Sequence, residues 1–167
     1  MEFRKTLSQD INDVMKIINK SQDYFKEQGI NQWQNNYPNS QVIQDDIDQD
    51  SSYVLLNNNQ IVGTTALSFD GEPTYNNIYE GKWLTSGVFA VIHRIAVDNS
   101  FKGLGFASKI IAEVENICIN KSIKSIKVDT HEDNKSMQRL LDKCGFKYCG
   151  VIYLPDNAKR VGYEKEL

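Results

Sequence analysis

The feature that most constrains this 167-residue chain is a β-rich run, Ser86 to Asp98, that leads through Asn99-Ser100-Phe101-Lys102 into Gly103-Leu104-Gly105-Phe106-Ala107-Ser108. Within the run, Val91, His93, Ile95 and Val97 fall on one face and Ile92, Arg94, Ala96 and Asp98 on the other, the period of a strand. After the glycines, Ile110, Ile111, Val114, Ile117 and Cys118 recur at helical spacing, and Ile123 to Thr130 reads as a further strand. Strand, glycine loop, helix and strand in that order make a crossover unit. The free amides that open such a helix, reinforced by its dipole, bind phosphate well. The glycines allow the backbone to approach oxygen atoms closely, and Lys102 adds a charge. A glycine pair that merely turns the chain is the plain alternative.

The rest of the chain surrounds this unit with mixed elements. Glu2 to Thr6 predicts a strand, and Ser8 an N-cap for a helix carrying Ile11, Val14, Met15, Ile17 and Ile18 that Gly29 stops. Ser40 is expected to cap a second helix through Val42, Ile43 and Ile47. Tyr53 to Leu56 and Gln60 to Phe69 predict a hairpin about Asn57-Asn58-Asn59. Asp70 to Thr85 reads as a long polar loop with Tyr75, Tyr79 and Trp83. Asp133 or Asn134 caps a helix through Met137, Leu140 and Leu141 that ends at Gly145, and Phe146 to Leu154 and Arg160 to Glu166 supply two last strands. The order is β-α-α-β-β-β-α-β-α-β-β.

Composition excludes several classes. With 40% hydrophobic and 25% charged residues the chain reads as globular, and its length fits one domain, residues 1–167. A net charge of -3 lacks the basic footprint of a nucleic-acid binder. Cys118, Cys144 and Cys149 have no C-x-x-C spacing, so neither a disulfide scaffold nor a metal site is expected. No apolar run suggests a secretion signal or a membrane partner, and the expectation is a protein of a reducing cytoplasm. A dinucleotide site, with Asp129 as ribose-binding acid, competes for the glycine loop. Against it, Ser108 replaces the third glycine and five residues separate Val97 from Gly103. No Gly-Lys-Ser/Thr follows, so a Walker A loop fails.

The run His93-Arg94-Ile95-Ala96-Val97, then Gly103-Leu104-Gly105-Phe106-Ala107, then Asp133-Asn134 and Cys144-Gly145-Phe146, resembles the GNAT superfamily of N-acetyltransferases, in the form of a bacterial-type single-domain enzyme. The resemblance implies an α/β (α+β) fold, a mixed, mostly antiparallel sheet of about seven strands with about four flanking helices. It implies acetyl-CoA as co-substrate, no metal, and direct transfer to a primary amine of a small molecule or peptide. The pyrophosphate would rest on Lys102, Gly103, Leu104, Gly105, Phe106, Ala107 and Ser108. The pantetheine arm would run along Ile95, Ala96 and Val97 as an added strand does, and Asn134 would touch it unless it serves only as a helix cap. Ser100 replaces the family's Arg or Gln, and Leu141 stands where the family often has a Tyr that protonates the departing thiolate.

An alkylamine with a pKa of about 10.4 is almost wholly protonated at pH 7, a deficit of roughly 4 to 5 kcal/mol, so a base is useful. His93, matched by a His in arylalkylamine acetyltransferases, is the candidate; a satisfied core histidine is the alternative. The backbone at Val97 would polarise the thioester carbonyl. Tyr148 is the candidate acid, with Tyr153 and Cys144 as others. Trp33, Tyr37, Tyr79, Trp83 and His131 are expected to line the acceptor site, or in the case of the aromatics to anchor loops. Asp98, Glu132 and Asp133 could pair with a cationic amine. The competing functions are a non-catalytic acyl-CoA-binding module and a nucleotide-binding module. The reading leaves room for a homodimer.

Overall fold

A computed structural model describes residues 1–167. It contains seven strands, β1 (Glu2–Lys5), β2 (Ser52–Asn57), β3 (Gln60–Ser68), β4 (Ala90–Val97), β5 (Ser125–Thr130), β6 (Lys147–Tyr153) and β7 (Lys159–Glu166). Four helices accompany them, α1 (Ile11–Glu27), α2 (Ser40–Asp48), α3 (Phe106–Asn120) and α4 (Lys135–Lys143). The strands form one mixed, mostly antiparallel sheet in the order β1-β2-β3-β4-β5-β7-β6. Its parallel step is β4 to β5, in register at Ala90↔Ile126 and Val91↔Lys127. Parallel neighbours need a long crossover, and the glycine loop with α3 supplies it.

The backbone divides into two compact units, Met1–Leu67 with His93–Glu113, and Ser68–Ile92 with Val114–Leu167. In the first, the β2–β3 hairpin turns at Asn58 and Asn59, both left-handed at φ 50° and 62°, as the triple Asn predicts. Val14, Ile17 and Ile18 of α1 and Ile43 of α2 pack with Val54, Leu56 and Ala96. A separate cluster sets Phe106 and Ile110 of α3 against Leu55 and Val62, with Ile95 and Val97 beside them. From Ile95 to Val97 the alternation of β4 is thereby realised, Ala96 toward α1 and α2, Ile95 and Val97 toward α3.

In the second unit β5, β7 and β6 are antiparallel neighbours, Asp129 facing Gly162 and Lys127 facing Glu164. The 70–89 segment includes a short 3-10 turn at Pro73–Tyr75 and a single bridge from Tyr79 to Val151. Tyr75, Val91 and Ile152 form one buried cluster, with Trp83 and Phe89 packed against it.

Several expected boundaries move for identifiable reasons. Ser8 does not cap α1: a 3-10 turn over Ser8–Asp10 intervenes, and Asp10, bound by Arg4 and the Leu7 amide, organises the entry. Asn39, not Ser40, caps α2, its Oδ1 accepting the Val42 amide at 3.1 Å. β4 begins at Ala90 instead of Ser86. Gly29 and Gly145 do stop their helices, at φ 68° and 86°. Asn39→Ala is expected to cost about 1 kcal/mol of stability, read as a lowered urea midpoint with unchanged m-value.

Candidate active site

In the first unit the candidate site is built on β4 and the glycine loop. Arg94 adopts φ +52°, and among the non-glycine residues at positive φ it alone lies inside a strand. A left-handed conformation there costs of order 1 to 3 kcal/mol and persists only where the surroundings impose it. Asp46 on α2 grips the Arg94 side chain, accepting from Nε at 2.8 Å and Nη2 at 2.6 Å, while Nη1 donates to the Tyr37 hydroxyl at 2.9 Å. Burial pushes the Asp46 carboxyl above its usual range although Arg94 pulls it down. His93 is half-buried just before this turn, and its carbonyl accepts from the Thr65 hydroxyl at 3.2 Å.

The loop after β4 is tied down at its start. Asp98 accepts the Ser100 amide at 2.9 Å, capping a 3-10 turn over Asn99–Phe101, and pairs with Lys20 of α1 at 3.0 Å. Although burial works the other way, these donors hold its carboxyl below the ordinary value. Gly103 and Gly105 are left-handed, at φ 85° and 81°, and a Cβ on either would meet nothing within 4 Å. Conformation, not crowding, therefore calls for glycine there. The first α3 bond runs from the Lys109 amide to the Gly105 carbonyl at 3.0 Å, so the amides of Phe106, Ala107 and Ser108 have no intrahelical acceptor. Phe106 anchors the loop, its ring 5.7 Å from that of Phe101, while Leu104 is exposed. The Lys102 ammonium lies 4.5 Å over the Tyr24 ring of α1. Its charge is near the glycines but held from the side by a cation–π contact.

Trp33 and Tyr37 lie in the same unit. Trp33 packs edge-on against Phe25, ring centroids 5.7 Å apart, and so acts as an anchor. Tyr37 is 43% exposed.

The second unit holds the remaining candidates. Trp83 is committed to packing: its Nε1 donates to the Tyr75 carbonyl at 2.8 Å and its ring lies 4.5 Å from the Lys127 ammonium, which also sits 3.9 Å over Phe89. Tyr79 stands half exposed, edge-on to Tyr153. Asn134 caps α4, its Oδ1 accepting the Met137 amide at 3.1 Å, which settles the choice between Asp133 and Asn134 as cap. His131 Nδ1 accepts the Asp133 amide at 3.0 Å. Burial, with Arg160 nearby, lowers the His131 pKa, so its neutral form presents Nε2–H as a donor. Tyr148 is half exposed and edge-on to Tyr163, and Leu141, fully buried in α4, carries no proton to donate.

Sequence reasoning missed two buried polar clusters. The Tyr75 hydroxyl donates to Asp129 at 2.6 Å; burial pushes the Asp129 carboxyl up and Tyr75 well above its ordinary range, so the tyrosine stays protonated. Asp129 is therefore spoken for, and the ribose role of a dinucleotide fold falls away. Glu164, 0% exposed, accepts from the Leu84 amide and the Ser125 hydroxyl, both at 2.6 Å, and from the Thr85 hydroxyl. The signal for both was charge on one face of a buried strand, Lys127 with Asp129 two residues apart and Arg160 with Glu164 four apart. No group of three or more His, Cys, Asp or Glu side chains is placed to hold a metal ion. No helix is long and apolar enough to cross a membrane.

The profile of the acetyltransferase (GNAT) family matches residues 15–146. Among solved structures, a GNAT-family acetyltransferase from Streptococcus agalactiae is 31% identical, covering 99% of this chain and 95% of its own, with a TM-score of 0.91. A GNAT-family acetyltransferase from Listeria monocytogenes is 20% identical over 99% of this chain and 94% of its own, with a TM-score of 0.76. A ribosomal-protein-alanine N-acetyltransferase from Brucella melitensis is 14% identical over 100% of both chains, with a TM-score of 0.72. The last two likenesses concern the fold alone. No curated protein matches the chain.

Proposed function

Since the chain belongs to the acetyltransferase (GNAT) family, we propose that it transfers an acetyl group from acetyl-CoA directly to a primary amine of a small molecule or a peptide. The observation that carries this reading is the pair of left-handed glycines that opens α3 in the loop following β4. Backbone amides from Gly103 to Ser108 take the pyrophosphate, so the anionic substrate is accommodated despite a net charge of -3. The arm of acetyl-CoA runs beside Ile95, Ala96 and Val97, and the Val97 backbone polarises the thioester oxygen. Asn134 adds an amide contact beyond its capping role.

The amine nitrogen attacks the carbonyl carbon as its proton passes to His93, directly or through water. The new C–N bond forms, the C–S bond breaks, and the sulfur leaves as a thiolate. A thiol pKa of about 8.5 means that this thiolate needs at most about 2 kcal/mol of help near neutrality. Loss of the acid position at Leu141 is thus tolerable, and half-exposed Tyr148 is a sufficient donor. Tyr37, Tyr79 and His131 contact the acceptor; Trp33 and Trp83 support the segments that carry it.

Thiol release from acetyl-CoA against a panel of alkylamines, arylalkylamines and short peptides tests this. Turnover with at least one class is expected; absence of both turnover and acetyl-CoA binding would sink the proposal. His93→Ala is expected to lower turnover mainly below the pKa of the acceptor amine, where deprotonation limits the rate. An unchanged pH–rate profile would remove His93 as base.

A further inference from the structure

The Arg94 side chain lies within a strand whose next three side chains, Ile95, Ala96 and Val97, pack into apolar clusters. It is nevertheless mostly buried, 16% exposed, against an Asp46 side chain that is 10% exposed. The planar fork of guanidinium matches a carboxylate at both nitrogens, a geometry that lysine cannot reproduce. With Asp46 neutralising it, Arg94 is not an anion site. Its remaining reach goes to Tyr37, whose oxygen accepts the Nη1 proton and whose own hydroxyl proton stays available to another partner.

The segment that carries Tyr37 is fastened at both ends. Gln22 Nε2 donates to the Pro38 carbonyl at 3.0 Å, Gln34 Nε2 donates to the Gln22 carbonyl at 3.2 Å, and Asn39 caps α2 while donating to the Asn36 carbonyl at 3.1 Å. Asp46 lies on the helix that this segment feeds. One side chain thus joins the strained turn of β4, the body of α2 and the 33–38 segment.

We propose that Arg94 is a positioning residue, holding the left-handed turn of β4 and the Tyr37 segment as one rigid piece so that the Ile95–Val97 backbone and the acceptor wall keep a fixed relation. This rests on β4 as the strand that receives acetyl-CoA. Strain kept in place by a buried ion pair is the kind of pre-organisation that reacting groups require.

The test uses the full chain, with acetyl-CoA as probe. Arg94→Gly permits positive φ but removes the grip, Asp46→Asn cuts it from the other side, and Arg94→Lys keeps charge without the fork. Amide hydrogen exchange at residues 94–97 and 33–38 is read alongside acetyl-CoA affinity. Exchange in both segments is expected to quicken about tenfold in all three variants, with acetyl-CoA affinity falling about as much; combining Arg94→Gly with Asp46→Asn should add little, since both break one unit. Tyr37→Phe, which spares the ion pair and so keeps the fold, is expected to quicken exchange at 33–38 only. With an accepting amine in hand, its KM should rise in Arg94→Lys by a larger factor than kcat falls. Unchanged exchange at 33–38 in Arg94→Gly and in Tyr37→Phe, or fully additive effects, would overturn the proposal. A wild-type chain that does not bind acetyl-CoA would overturn the acetyltransferase reading instead, while the exchange data still decide the coupling.

Discussion

Gly105→Glu is expected to abolish measurable binding of acetyl-CoA. Two effects act together at this position. The residue sits at φ +81°, where an L side chain is strained by roughly 1 to 2 kcal/mol. The new carboxylate would also stand at the amides that open α3, in the place proposed for the pyrophosphate, and anion meets anion in a site built for one of them. Gly105→Ala separates the two. A Cβ there meets nothing within 4 Å, so alanine brings strain without charge and should weaken binding only modestly. Calorimetric titration of both variants gives the comparison, and a Glu variant that keeps micromolar affinity would refute the loop assignment.

Glu164→Ala is expected to be the most destabilising single substitution of a charged residue, by about 3 to 5 kcal/mol. The carboxylate is wholly buried, and its removal orphans the Ser125 and Thr85 hydroxyls and the Leu84 amide together. Lys127 would lose the negative neighbour that sustains its charge against burial. Because Leu84 and Thr85 belong to the 70–89 segment, exchange of amides there should quicken more than in β2 or β3. Glu164→Gln, which keeps one acceptor oxygen, should recover part of the loss. A fall in denaturation midpoint no larger than that of a surface substitution would show that these hydrogen bonds contribute little.

Much of the fold was legible because local chemistry and tertiary structure agree. The consecutive asparagines at 58 and 59 both demanded and tolerate a left-handed turn, Gly29 and Gly145 end helices in that same conformation, and the apolar period of α3 was unbroken. Legibility ended where distant residues decide. Asn39 outcompetes Ser40 as a cap because the chain is extended at Asn39. Arg94, left-handed inside β4, pairs with Asp46, forty-eight positions earlier, and nothing in the run of β4 announces it. Nothing in the sequence of β5 and β7 shows what covers their charges: Tyr75, Trp83 and Thr85 reach them from a segment that reads only as a polar loop, and Phe89 from the run that leads into β4. For the candidate site, the glycine loop was visible in sequence as a backbone motif. The aromatic residues were visible only by type, and the structure separates Trp33 and Trp83, which are packed, from Tyr37 and Tyr79, which are exposed.

The most direct measurement is a crystal structure of the chain with acetyl-CoA. The expected result is the pyrophosphate on the amides of residues 103–108 and the thioester arm hydrogen-bonded to the β4 backbone between Ile95 and Val97. Acetyl-CoA seated elsewhere, with the left-handed glycines making no contact to phosphate, would contradict the central claim.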